Sequence, residues 1–358
     1  MTQRGATVEL RELTKRYGPA DRQRGAVDGL SLTVPAGAIC VLVGPSGCGK
    51  TTTLRMVNRL IEPTSGAVLI DGADIRGEDP VALRRRTGYV IQHVGLFPHQ
   101  TIAENVATVP RLLGWPAART ADRVRELLHL VGLDPAYGAR YPAQLSGGER
   151  QRVGVARALA AEPPLMLMDE PFGAVDPLVR ERLQDEFLRL HRALGMTVLF
   201  VTHDIDEAIK MGDRIAVIRD GRLAQYDTPA GLLAHPADDF IGRFVGADRG
   251  LKRLSLITVG ELPLGRAETL TPGVSVTPGQ GYVLLLDERG RPQGWVSRAR
   301  PGHGPDPSSP LVTRDMRVKD ALSALLASGV AQAVVVDDDG AYLGTVSLSD
   351  ITGLLAAG

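Results

Sequence analysis

Nine consecutive residues have the types and spacing to hold a polyphosphate: Gly44, Pro45, Ser46, Gly47, Cys48, Gly49, Lys50, Thr51 and Thr52. Glycines let the backbone turn its N–H groups onto phosphate oxygens without side-chain obstruction. Lys50 is long enough to reach the outer phosphates, and the Thr51 hydroxyl is a hard oxygen ligand suited to Mg²⁺. A second group of residues lies roughly 120 positions further on, where the apolar run Leu165-Met166-Leu167-Met168 ends on two carboxylates, Asp169 and Glu170. The first can hold Mg²⁺ directly or through water, and the second can polarise an attacking water. Between them, Leu145-Ser146-Gly147-Gly148-Glu149 sets a hydroxyl and two glycines at the start of a helix, a second anion site.

These residues need elements to position them. Ala38 to Val43 is an apolar run that reads as a strand, and Thr53 to Val57 as the first turns of a helix whose dipole would face the phosphates. Thr7–Leu13 and Val27–Val34 read as strands flanking a polar loop, as does Ala67–Ile70 closed by Asp71-Gly72. Gly88–Ile91 reads as a buried strand. From about 101 to 161 apolar residues recur at helical spacing, and then strand and helix alternate: Leu165–Met168, a helix over 178–194, Thr197–Val201, a short helix from Asp204, and Arg214–Ile218. That alternation predicts a mostly parallel sheet covered by helices, with 101–161 inserted into it.

The totals exclude several classes. Forty-one basic and 41 acidic residues cancel, and aromatics make up 4%, so neither a global field nor a stacking platform argues for nucleic acid. Cys40 and Cys48 have no metal-ligand spacing, and a reducing compartment is the simplest setting for them. No apolar run approaches the ~20 residues that cross a bilayer, and the first residues lack the apolar core of a signal peptide.

Together these segments resemble the nucleotide-binding subunit of an ATP-binding cassette (ABC) transporter, over about residues 7–245. The resemblance implies an α/β fold: a P-loop NTPase cassette with a mostly parallel core sheet, antiparallel strands and a helical insertion. It implies ATP as substrate and Mg²⁺ as cofactor, sandwiched in a head-to-tail dimer where Ser146, Gly147 and Gly148 of one copy close the site of the other. By the same resemblance Tyr17 fits the aromatic that stacks on adenine. Gln92 fits the glutamine that contacts the metal and γ-phosphate, Asp176 the dimer-contact loop Ala174-Val175-Asp176, and His203 the γ-phosphate histidine. On residue type alone Tyr17 could equally be a surface tyrosine, His203 structural, and Gln92 a polar strand end. Glu170 is the expected general base or water-orienting residue; Lys50, His203 and Gln92 complete the expected catalytic set.

Arg84 to His99, with Thr101–Val106 and Val109–Trp115, is similar to importers of quaternary amines: glycine betaine, carnitine, choline and related osmoprotectants. This implies a homodimer (or a pair with a paralogue) at the cytoplasmic face of the membrane, held by permease subunits and supplied by an extracytoplasmic binding protein. The alternatives are an importer of another small solute such as an amino acid, and a soluble cassette protein outside transport. Past Gly250 the chain is richer in Pro, Gly and Ser, and it holds a repeat at an offset of fifty. Val283–Gly290 is echoed by Ala333–Gly340, and Gly294, Val296 and Ser297 by Gly344, Val346 and Ser347. The expected division is a cassette over 1–245 and a regulatory region over 251–358, with copies at about 251–300 and 311–358. The repeat resembles a pair of cystathionine-β-synthase (CBS) domains of α+β type. A helix over 319–328 precedes the second hairpin, whereas Thr271-Pro272-Gly273 and Pro278-Gly279 break any helix in the first. Arg289, Arg291, Arg298 and Arg300 form a basic patch that reads either as a solvated face or as a contact for anionic lipid.

Overall fold

The computed structural model describes residues 5–18, 24–91, 95–173, 175–271, 274, 276–300 and 305–356. The chain divides into two compact units, Met1–Leu232 with Pro236–Phe244, and Leu233–His235 with Val245–Gly358.

The first unit is built on two sheets. Strands β1 (Val8–Tyr17), β2 (Arg24–Val34), β4 (Ser65–Ile70) and β5 (Ala73–Asp74) form an antiparallel sheet in the order β2-β1-β4-β5. The second sheet runs β10-β9-β3-β8-β7-β6, from β3 (Ile39–Val43), β6 (Thr87–Val90), β7 (Leu165–Asp169), β8 (Thr197–Val201), β9 (Arg214–Arg219) and β10 (Arg222–Asp227). All its pairings are parallel except that of β9 with β10. Every residue of β3, β7 and β8 is buried, which is why these strands read as continuous apolar runs rather than alternating ones. Helices α1 (Lys50–Val57) and α2 (Pro80–Arg85) precede β6. Between β6 and β7, which are neighbours in the sheet, the chain leaves through α3 (Ile102–Val106), α4 (Thr108–Leu112), α5 (Ala117–Leu130) and α6 (Gly147–Leu159). Helices α7 (Pro177–Leu194) and α8 (Ile205–Met211) lead into β8 and β9, and α9 (Pro229–Ala234) and α10 (Asp239–Val245) follow β10.

Two differences from the sequence reading have plain causes. Lys15, Arg16 and Tyr17 extend β1 instead of opening a loop, because β2 begins earlier and pairs with them (Tyr17 with Arg24) across several bulges. Strand β10 has no counterpart in that reading; its residues are half exposed at the sheet edge, so it lacks an apolar run. What forms it is the two-residue turn at Asp220 and Gly221, both with positive φ (52° and 80°), the geometry a tight hairpin needs.

In the second unit, α11 (Arg249–Leu254) precedes two three-stranded sheets. The first holds β11 (Thr269–Leu270), β12 (Tyr282–Leu286) and β13 (Pro292–Ser297), and the second β14 (Leu311–Thr313), β15 (Gln332–Val336) and β16 (Tyr342–Ser347). Helix α12 (Val318–Ser328) joins β14 to β15, and α13 (Leu348–Ala356) follows β16. Of the basic patch, Arg298 is ion-paired with Glu268.

Candidate nucleotide site

The carboxyl ends of adjacent parallel strands bring the expected residues together. The glycine loop follows β3, His203 follows β8, which lies beside β3, and Asp169 and Glu170 end β7, the next strand over. Ligands bind outside the carboxyl ends of such a sheet. Thr51, in the first turn of α1, donates its hydroxyl hydrogen to Asp169 Oδ1 at 2.9 Å, tying the loop's helix to the end of β7. Lys50 is buried, its Nζ donating to Gly44 O at 2.6 Å and Pro45 O at 3.0 Å, so the ammonium is held inside the loop's curve.

Two glycines are needed here for steric reasons. Gly44 has φ 154°, and a Cβ on it would stand 2.1 Å from Ile218 O; Gly49 has φ 103°, and its Cβ would stand 2.2 Å from Ala26 O. Gly47, by contrast, faces open space, with nothing within 4 Å of an added Cβ. Pro45, Ser46 and Gly47 form the exposed rim of the loop; Cys48 is buried beneath it, and Thr52 is half-buried in α1.

Glu170 has φ 46°, a left-handed conformation that a non-glycine residue adopts only when its surroundings hold it there. Its backbone N–H bonds to Val201 O at 2.9 Å, and Oε1 lies 3.1 Å from His203 Nδ1. The carboxylate is three-quarters covered, whereas His203 is largely exposed. Burial pushes the Asp169 carboxyl above its ordinary value; the Thr51 hydrogen bond opposes this, and Glu170's charge adds to it. A buried carboxylate beside a hydroxyl is an all-oxygen donor set that fits a hard divalent cation. Among the described residues no group of three or more His, Cys, Asp or Glu side chains forms a metal cluster. The residue that sequence reasoning passed over is Arg55, whose charge, with that of Lys50, favours the charged form of Asp169. Their placement depends on α1 lying over the end of β7, which no local pattern encodes.

Other expected site residues sit elsewhere. Tyr17 ends β1, half exposed, with the Lys15 ammonium 5.3 Å from its ring centroid. Ser146 is the N-cap of α6, and Gly147 and Gly148 are its first turn. Asp176 caps α7 by accepting from Leu178 N at 3.0 Å. Gln92 and Ala174 lie outside the described residues. Cys40 is buried in the sheet, which pushes its thiol up to about 12.

A glycine loop after a central strand, with a paired hydroxyl and carboxylate across two strand ends, defines a nucleotide-binding cassette of P-loop type. Residues 27–173 match the ABC transporter family and residues 305–357 the CBS domain. The osmoprotectant import ATP-binding protein OsmV of Salmonella typhimurium is 46% identical, with 98% of this chain and 97% of that protein aligned. The glycine betaine/carnitine/choline transport ATP-binding protein OpuCA of Bacillus subtilis is 48% identical over 79% of this chain and 73% of its own. A dimeric ATP-binding cassette in a post-hydrolysis state, bound to ADP and Pi, superposes with a TM-score of 0.56 at 34% identity, over 62% of this chain and 98% of that one. This chain belongs to the ATP-binding subunits of ABC transporters. Among its described residues no helix is long and apolar enough to cross a membrane.

Proposed function

We propose that the chain is the ATP-hydrolysing subunit of an ABC importer that takes up quaternary-amine osmoprotectants such as glycine betaine, carnitine or choline. The observation that carries the ATPase half is the joining of three strand ends: Thr51 to Asp169, and Glu170 to His203. Loop N–H groups and the Lys50 ammonium bind the phosphates of ATP, with Tyr17 against the adenine. Mg²⁺, held by the Thr51 hydroxyl, the Asp169 carboxylate and Gln92, would supply charge neutralisation at those phosphates. Glu170 orients the attacking water and accepts its proton, and His203 fixes the carboxylate that does so. Ser146, Gly147 and Gly148 of a second copy close the site, and Asp176 lies at the contact between copies. Positioning and charge neutralisation suffice for phosphoryl transfer, and no covalent intermediate is needed.

The cargo half rests on the relatives, whose names specify osmoprotectants and quaternary amines, the OsmV alignment running through both units. Permease subunits and an extracytoplasmic binding protein complete the transporter, with this chain peripheral on the cytoplasmic face. The first unit is its motor and the second, with its CBS match, its regulatory region. Two measurements test the proposal. Glu170→Gln should still bind ATP while hydrolysis falls about 10²–10⁴-fold, the share expected of a general base; wild-type turnover in that variant would refute the assignment. In the reconstituted transporter, labelled betaine should be taken up in preference to labelled amino acids, and the reverse order would show that the cargo is another small solute.

A further inference from the structure

Ser146 is already held by Glu149 of its own chain. Its backbone N–H donates to Glu149 Oε2 at 2.7 Å, and its hydroxyl oxygen accepts from Glu149 N at 3.3 Å. The same carboxylate draws on the Ser146 hydroxyl, and the Tyr137 hydroxyl and Arg140 guanidinium favour its charged form. Arg140 is itself stacked on the Tyr137 ring, 3.7 Å from its centroid. Ser146 and Glu149 thus form a reciprocal capping box at the start of α6, with Tyr137 and Arg140 favouring its charged carboxylate.

The proposed function sets Ser146 against the ATP bound by the opposite copy, and the following inference rests on that reading. We propose that Glu149 is a positioning residue that competes in cis for the Ser146 N–H and so restrains closure of the ATP-bound dimer. An incoming phosphate must displace a carboxylate that is already hydrogen-bonded, and it must do so against that carboxylate's negative charge. The substitution Glu149→Gln would keep the capping geometry, because an amide oxygen can accept the Ser146 N–H, while removing the charge and weakening the acceptor. Helix and signature would stay in place, and only the competition would be lifted.

The test uses the purified full chain with Glu170→Gln, so that ATP is retained, and measures the ATP concentration that half-maximally dimerises it. Adding Glu149→Gln should lower that midpoint about five-fold at 50 mM salt, and the gap should narrow at 500 mM as the charge is screened. A cap that only stabilised α6 would not produce this salt dependence. Tyr137→Phe, which loosens the carboxylate without touching α6, should shift the midpoint the same way by about two-fold, and it carries the test if Glu149→Gln melts early. A dimer whose midpoint neither variant lowers overturns the inference alone. Failure of the Glu170→Gln chain to dimerise with ATP overturns the two-copy reading, and this inference with it.

Discussion

Gly47→Ala and Gly49→Ala separate two reasons for a glycine in one loop. Both positions have positive φ, 80° and 103°, so an alanine at either carries the left-handed penalty of ~1–2 kcal/mol. Only Gly49 also meets a neighbour: its Cβ would lie 2.2 Å from Ala26 O and 3.0 Å from Val27 Cγ2 in β2. Relief requires β2 or the loop to move by about 1 Å, an overpacking cost of ~1–3 kcal/mol. The total for Gly49→Ala is therefore ~2–5 kcal/mol, or a melting temperature lower by roughly 5–15 °C for a unit of this size. Gly47→Ala should fall by only a few degrees. Function should separate further, because about 1 Å of displacement at the phosphates costs on the order of 10²-fold in turnover. Thermal unfolding followed by circular dichroism, with ATP hydrolysis on the same samples, measures both effects. If Gly49→Ala melts and hydrolyses like Gly47→Ala, the close approach of β2 does not constrain the loop and the argument fails.

Two further outcomes concern stability. Thr197 is fully buried, donating to Ala6 O at 2.6 Å and accepting from Gly37 N at 2.9 Å; Thr197→Val leaves both groups unpaired and should cost ~2–4 kcal/mol, read as a lower urea midpoint at unchanged slope. His191 is buried, with Nε2 2.9 Å from Met196 O, and burial holds its pKa below the ordinary imidazole value. The unfolded chain then takes up the proton first, so stability should decline as pH falls below ~6.5, until the folded imidazole titrates as well. His191→Gln should flatten that part of the urea-midpoint-against-pH curve, and an unchanged slope would remove His191 as its source.

Much of this architecture is legible locally. β3, β7 and β8 are continuous apolar runs because both faces of a parallel strand are covered, and each ends at residues able to bind phosphate or metal. The order of these strands is not legible, since β6 lies beside β7 although α3 to α6 intervene. The bonds that make a site follow from that order: Thr51 meets Asp169 across 118 residues, a separation no window of sequence spans. Nor does residue type reveal that Glu170 is left-handed, because a glutamate has no intrinsic preference for that region and tertiary contacts must impose it. The hairpin at Asp220-Gly221 is within reach of sequence reasoning, as Asp-Gly between strands is a turn signal, but β10 lacks the apolar alternation that marks a strand.

The repeat in the second unit is preserved beyond its strands. Hairpin β12–β13 pairs Tyr282 with Ser297 and Leu284 with Trp295; β15–β16 pairs Gln332 with Ser347 and Val334 with Thr345, each fifty residues on. Trp295 exchanges two backbone hydrogen bonds of 2.8 Å with Asp306, ahead of the second hairpin, while Thr345 exchanges bonds of 2.8 and 2.9 Å with Gly265, ahead of the first. Each copy's leading segment thus bridges the other copy's hairpin, and Leu284 packs with Val334 and Val336 between them. The glycine before each bridge is required by that crossing: a Cβ on Gly294 would lie 2.7 Å from Asp306 O, and one on Gly344 2.9 Å from Gly265 O. The copies differ in helix, since α12 has no counterpart among the described residues between β11 and β12. If the crossings are one cooperative unit, Gly344→Ala, an overpacking change of ~1–3 kcal/mol, should loosen both. Hydrogen exchange would then quicken at Gly265 and Thr345 and, by a similar factor, at Trp295 and Asp306. Quickening confined to the Gly265–Thr345 bridge would mean that the two crossings open independently, and that the reciprocal exchange of segments does not couple the copies.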